Sequence, residues 1–145
     1  MNIFNPKKIL FLLPRWIRFK IFNIKKLKLY KTNTGSYYLP FFAFRDVVRN
    51  TIIENKIFDN DVYEYSKKYI KENSVVIDAG ANYGQLSILF SKVKPGVKVY
   101  AFEAYKYISQ ILLKNVKINN ANVKIYNCIL SDENKKNLII SDSIL

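Results

Sequence analysis

Val75-Val76-Ile77-Asp78-Ala79-Gly80-Ala81-Asn82-Tyr83-Gly84, running on into Gln85-Leu86-Ser87-Ile88-Leu89-Phe90, is the stretch that decides the fold. Its opening apolar run suits a strand buried on both faces, its last six residues have helical spacing, and a glycine-bearing turn joins the two. A strand that breaks into such a turn and then a helix is how an α/β sheet builds a pocket for the ribose of a nucleotide. At Gly80 and Gly84 the backbone can take torsions closed to other residues and can approach a ligand closely. Asp78 places a carboxylate at the strand's carboxyl end, where open α/β sheets bind their ligands.

The same alternation continues downstream. Lys94-Pro95-Gly96 reads as a turn, residues 98–103 as a strand, 105–119 as a helix and 122–129 as a third strand. Ile108, Ile111, Leu112 and Val116 recur at the spacing of a buried helix face. This is a βαβαβ pattern, and short crossovers of that kind force parallel strands. Upstream, residues 61–71 read as a helix with Val62, Tyr65, Tyr69 and Ile70 on one face and Asp59 or Asn60 as its cap. Residues 46–54 fit a helix or a strand equally. Residues 27–31 and 37–41 flank Thr32-Asn33-Thr34-Gly35 and predict a β-hairpin whose second strand, carrying Pro40, lies at an edge.

The first thirty residues are basic and aromatic. On a helical wheel Lys20 falls between Trp16 and Ile24, so polar and apolar faces do not separate cleanly. Trp16 and Phe19 mixed with Lys and Arg also suit an anionic membrane surface, and peripheral association through residues 1–30 stands beside a helix packed on the domain or a partner. The formal net charge of +13 is spread along a chain rich in Lys, Asn and Ile, which reads as solvated lysines, with no specific nucleic acid expected.

Composition narrows the chemistry. At 145 residues, half of them hydrophobic, the chain is long enough for one compact core. There is no histidine and one cysteine, which excludes His-based triads, His-ligated metals and an intrachain disulfide. Cys128 reads as a small buried core residue. No apolar run is long enough to span a membrane and no signal-peptide pattern is present, so the expected location is cytoplasmic.

Two acids and the glycine spacing separate the candidate cofactors. Glu103 ends the second strand, and a carboxylate there accepts hydrogen bonds from two vicinal ribose hydroxyls while repelling a 2′-phosphate. A dinucleotide fingerprint needs Gly-x-Gly-x-x-Gly to seat a pyrophosphate on the helix N-terminus. Here Asp78-x-Gly80-x-x-x-Gly84 has Asn82 where the middle glycine would stand, and Asp78 disfavours anionic phosphates beside it. A ligand carrying an amino group and a sulfonium charge meets no such objection. An NAD-dependent oxidoreductase and a basic, non-enzymatic membrane- or nucleic-acid-associated module are the rival readings.

Val76 to Gly84, then Val99-Tyr100-Ala101-Phe102-Glu103-Ala104, Leu112-Leu113-Lys114-Asn115 with Asn119-Asn120, and Leu130-Ser131-Asp132 resemble the FkbM-type family of S-adenosylmethionine-dependent methyltransferases. The resemblance is clearest from about residue 62 to 132. It implies a Rossmann-like α/β sheet of class I methyltransferase type, an S-adenosylmethionine cofactor, and a small-molecule or glycan hydroxyl as methyl acceptor. Asp78, Gly80 and Gly84 would shape the pocket for the methionine part, with Ala81 and Asn82 lining it. Glu103 would bind the ribose hydroxyls. Ala104 and Tyr105 would lie beside the adenine, and residues from Cys128 to Asp132 would close its far edge. The family commonly has proline where this chain has Ala104. Asp132 reads equally as the start of a turn, and Tyr83 and Tyr105 as packing residues.

The family sheet has seven strands, of which three are counted here, with a possible short strand at residues 137–141. The expected organisation is therefore a basic helical segment and β-hairpin over residues 1–60, then the N-terminal half of a methyltransferase domain over 61–145. The chain is expected to be a piece of a larger enzyme that holds the cofactor half of the site, and no residue in it can be assigned as catalytic base.

Overall fold

A computed structural model describes residues 26–41 and 43–132, so the basic segment expected before residue 26 and the strand expected at 137–141 lie outside the described residues. The chain opens with strands β1 (Leu27–Thr32) and β2 (Gly35–Pro40), paired antiparallel with Thr32 opposite Gly35. Helix α1 (Val47–Ile53) and helix α2 (Asn60–Ser66) follow. Then come β3 (Val75–Ala79), α3 (Gln85–Phe90), β4 (Lys98–Phe102), α4 (Lys106–Ile118) and β5 (Val123–Tyr126). The expected βαβαβ unit is present, with β3, β4 and β5 parallel and in that spatial order.

The ambiguous stretch at 46–54 is helical because Asp46 caps it, its Oδ1 accepting from the Arg49 N–H at 2.9 Å. Helix α2 departs from expectation. It is one turn shorter, contains no buried residue, and leaves Val62, Tyr65 and the following Tyr69 exposed; only Ile70 reaches the core. Asp59 precedes it in a left-handed conformation without a side-chain cap bond, and Tyr65 and Tyr69 contact each other, with tilted rings 5.1 Å apart.

Pairing register divides the parallel sheet into two unequal faces. Val76 and Asp78, Val99 and Ala101, Val123 and Ile125 share the face covered by α3 and α4. Val75, Ile77, Tyr100, Phe102 and Tyr126 share the other. Val75 and Ile77 are 61% and 66% exposed, against the expectation of burial on both faces. An unbroken apolar run reports what a strand can tolerate; its neighbours decide what it buries, and among the described residues β3 has a neighbour on one side only. The open face carries a stacked row, with Phe102 and Tyr126 ring centroids 5.0 Å apart and Tyr100 and Tyr126 6.2 Å apart.

Tyr37 and Leu39 of β2 share one buried cluster with Ile52 of α1, Ala101 of β4, and Ile111 and Leu112 of α4. The free edge of β2 is covered by side chains of α4. Asn115 Oδ1 accepts from the Tyr38 N–H at 2.6 Å, and Asn119 Oδ1 accepts from the Ser36 N–H at 2.9 Å. The two carboxamides also donate back to the carbonyls of Tyr38 and Ser36, at 3.3 Å and 2.6 Å. Gly35 is required here: it has a φ of +141°, and a Cβ would lie 2.5 Å from Asn119 Oδ1.

Burial pushes the Tyr37 hydroxyl up to about 12, while a hydrogen bond with the Thr34 side chain pulls the other way. The unfolded phenol titrates near 10, so Tyr37's share of stability is intact below that pH and is lost as pH rises through the folded value. In that window the slope should be steeper than in the Tyr37→Phe variant by up to about 1.4 kcal/mol per pH unit, which is one proton. Urea midpoints taken between pH 9 and 12 test this, and parallel slopes for the two proteins would contradict it.

Candidate functional site

The turn after β3 crosses the top of β4. The N–H groups of Gly80 and Ala81 both donate to the Phe102 carbonyl, at 2.9 and 3.0 Å, and Gly84 N–H donates back to Ala81 at 2.8 Å. Three of its residues take positive φ: Gly80 at 81°, Asn82 at 49° and Gly84 at 87°. The two glycines serve different ends. A Cβ on Gly84 would stand 2.2 Å from Leu112 Cδ1, so its absence lets α4 press against the turn. A Cβ on Gly80 would meet nothing within 4 Å, so that residue borders open space.

Glu103, just past β4, faces this turn. Its Oε2 accepts from the Asn82 N–H at 2.9 Å and its Oε1 from the Tyr105 N–H at 2.8 Å. Each carboxylate oxygen can accept a second bond, so the fixed carboxylate keeps capacity for two more donors. The main chain beneath it is fixed by Asn127, which donates to the carbonyls of Glu103 and Ala104 at 2.8 and 3.0 Å. Beside it a cavity of about 240 Å³ is lined by Gly80, Phe102, Glu103, Ala104, Cys128 and Leu130, among others.

A second hollow of about 420 Å³ lies on the other side of the turn, between β3 and the α2 region, with Val62, Ile70, Asp78, Gly80, Asn82 and Leu86 in its wall. The Oδ1 of Asn82 is buried and has no hydrogen-bond partner among the described residues. A buried carbonyl oxygen left unpaired costs about 1–3 kcal/mol and is the kind of group a ligand satisfies.

Asp78 points to the covered face, where it accepts a bond from the fully buried Ser87 hydroxyl. Burial raises its pKa, against the lowering effect of the Ser87 bonds and with a further push from the charge of Glu103. It shapes the wall of the larger hollow and is turned away from the smaller cavity's lining. Tyr83 is buried under the turn and donates its hydroxyl to Asp46; burial first, then that carboxylate, raises its pKa strongly.

Of the residues singled out in the sequence, Gly80, Glu103 and Ala104 meet around the smaller cavity, and Asp78, Gly80, Ala81 and Asn82 around the larger. Gly84 lies behind the turn. Asp132 is exposed, bonded to Ser131 at 3.3 Å, and borders neither cavity. Cys128 is exposed, which corrects the reading of a buried core residue: β5 ends at Tyr126, so Cys128 sits on the loop at the cavity rim. Two contributors, Gln85 and Asn127, escaped the sequence reading, and Asn115, quoted there only as part of a motif, was given no role. Gln85 is buried and ties the turn to the Phe58 N–H at 2.9 Å, the Lys56 carbonyl at 2.8 Å and Thr34 at 3.1 Å. Among the described residues there is no cluster of three metal-ligating side chains, and no helix long and apolar enough to cross a membrane.

Known proteins share sequence or fold with this chain. The chain is 32% identical over 81 residues to Methyltransferase sdnD of Sordaria araneosa, a match covering 54% of this chain and 30% of that protein. The resemblance is to methyltransferases. No family model matches the chain. Among solved structures, TYW2 of P. horikoshii in complex with MeSAdo superposes with a TM-score of 0.51 at 20% identity, over 72% of this chain and 37% of that one. Trm5b of Pyrococcus abyssi superposes with a TM-score of 0.50 at 26% identity, over 76% and 29%. The chain thus spans about a third of the length of the proteins it matches, and its fold is a partial Rossmann-like methyltransferase fold.

Asp78 holds its charge at a free-energy cost in the fold, since burial raises its pKa above the unfolded value and stability therefore falls as pH rises through that interval. Asp78→Asn keeps an acceptor for Ser87 without the charge. At pH 7 it should raise the melting temperature, and the gain should vanish at a pH below the unfolded carboxylate value. A lower melting temperature at pH 7 would contradict the assignment.

Proposed function

We propose that this chain carries the cofactor-binding part of an S-adenosylmethionine-dependent methyltransferase of FkbM type, acting on a hydroxyl of a small molecule or glycan. The observation that carries the reading is Glu103: a carboxylate held by two backbone N–H groups, beside a cavity and directly across from a glycine turn open to ligand. Its free lone pairs suit the two hydroxyls of an unsubstituted ribose. Ala104, Leu130 and the neighbouring Ile129 give the cavity an apolar wall for a planar base. Asn82 Oδ1 offers an acceptor that the protein leaves unused, and an ammonium or hydroxyl donor would satisfy it. Neither feature suits a pyrophosphate, which needs donors and would meet Asp78 and Glu103 as like charges.

The MeSAdo seen in TYW2 supports an adenosine ligand for this fold, and the sdnD similarity supports methyl transfer. When bound, S-adenosylmethionine supplies a methyl group made electrophilic by its sulfonium. This chain's residues would fix the ribose and shape the pocket, so that alignment of methyl and acceptor oxygen lowers the barrier. The acceptor-binding groups and the base that takes the hydroxyl proton are assigned to the part of the enzyme family that this chain does not span.

Calorimetric titration with S-adenosylhomocysteine and with NAD tests the reading. Saturable binding of S-adenosylhomocysteine is expected, weakened about 10- to 100-fold in Glu103→Gln, the range for losing a hydrogen bond to a charged acceptor. Binding of NAD with none of S-adenosylhomocysteine would overturn it.

A further inference from the structure

One carboxamide belongs to the cofactor turn and to the N-terminal hairpin at the same time. Asn115 is fully buried near the C-terminal end of α4. Its Oδ1 takes the Tyr38 N–H, while its Nδ2 donates to the Tyr83 carbonyl at 2.9 Å and to the Tyr38 carbonyl at 3.3 Å. All its bonding capacity except one lone pair is used, and both partners are main chain. Asn119, one helical turn on, repeats the pairing on Ser36 but sends its second donor to the Asn115 carbonyl, within its own helix.

The match is metric. Four residues of α-helix advance about 6 Å and two residues of strand about 6.7 Å, so two carboxamides at i and i+4 can address alternate residues of β2 as a neighbouring strand would. The geometry points to Asn115 as a positioning residue, through which the hairpin sets the placement of the cofactor turn. The peptide it holds joins Tyr83 to Gly84, and Gly84 leads into α3 at a φ of +87°. Asn82, the adjacent residue, is the one whose N–H fixes Glu103. A drift of the Tyr83 carbonyl therefore moves the donor that orients the ribose-binding acid. The turn's other anchors act elsewhere: the Gly80 and Ala81 N–H groups tie its start to β4, Asp46 holds the Tyr83 ring, and Gln85 holds the start of α3. This inference rests on the cofactor reading above for its ligand, although the link between hairpin and turn does not.

Asn115→Ala and Asn119→Ala form the test pair, since both lose carboxamide bonds to β2 and only the first loses the bond to the turn. With both variants folded and compared at matched distance below their melting temperatures, Asn115→Ala should weaken S-adenosylhomocysteine binding by about tenfold or more, the loss expected for a buried hydrogen bond on which ligand geometry depends. Asn119→Ala should stay within about twofold of the parent. Equal weakening in the two, or none in Asn115→Ala, would overturn the proposal. If the parent protein binds no S-adenosylhomocysteine, the cofactor reading fails, and hydrogen exchange without ligand decides the positioning role alone. The Gly84 amide must then exchange faster in Asn115→Ala than in Asn119→Ala, and equal rates reject it. Should Asn115→Ala not fold, the parent protein gives the answer by reciprocity. Bound S-adenosylhomocysteine must slow exchange at the Tyr38 amide, and an unchanged rate there counts against the coupling.

Discussion

A buried carboxamide with three main-chain partners is the point on which this structure turns. In the low-dielectric interior Asn115 is costly unless its bonds are made, and from α4 they tie down two other elements: two bonds hold Tyr38 of β2 in register, and one holds the Tyr83 carbonyl of the turn at residues 80–84. A one-residue slip of the hairpin would break the paired bonds of both Asn115 and Asn119 and would turn Tyr37 and Leu39 out of the core. The two glycines that touch α4 follow from the same approach. Leu112, Asn115 and Asn119 form one stripe of that helix, and a Cβ at Gly84 or Gly35 would strike its two ends.

The candidate site inherits its order from this arrangement. Glu103 arrives with its two oxygens already oriented by backbone donors, so a ligand need not pay to organise the carboxylate. Around it the chain accepts several locally unfavourable features: a buried Asp78 with a raised pKa, an unpaired Asn82 oxygen, and positive φ at a non-glycine residue. Such features gather where a fold trades stability for binding. Three of them at the end of β3 and in the turn after it, next to two cavities, is the physical basis for placing function there rather than on the aromatic face of the sheet.

Local signals in the sequence reached the elements whose pattern is their own. The Val75 run, the Gly80 and Gly84 spacing, Glu103 at a strand end and the Ile108–Val116 periodicity all describe contacts made within a short βαβαβ unit, and the structure has that unit. What failed depends on neighbours. Val62, Tyr65 and Tyr69 have helical spacing but no element to pack on among the described residues, and Val75 and Ile77 lie on a face that nothing described covers. Cys128 looked like a strand residue until β5 ended two residues earlier. Asn115 and Asn119 were visible as a motif, yet their partners lie 77 and 83 residues away in sequence, beyond any local pattern.

The central claim is that Glu103 and the turn at residues 80–84 form a ready-made ribose site. A ¹⁵N–¹H titration with S-adenosylhomocysteine tests it most directly, through the two amides that now hold the carboxylate. The account predicts that the Asn82 and Tyr105 resonances shift together, along one saturating curve, with the amides of Ile129 and Leu130 at the cavity wall following. Shifts confined to other regions, or no response at Asn82 and Tyr105 while ligand binds, would contradict it.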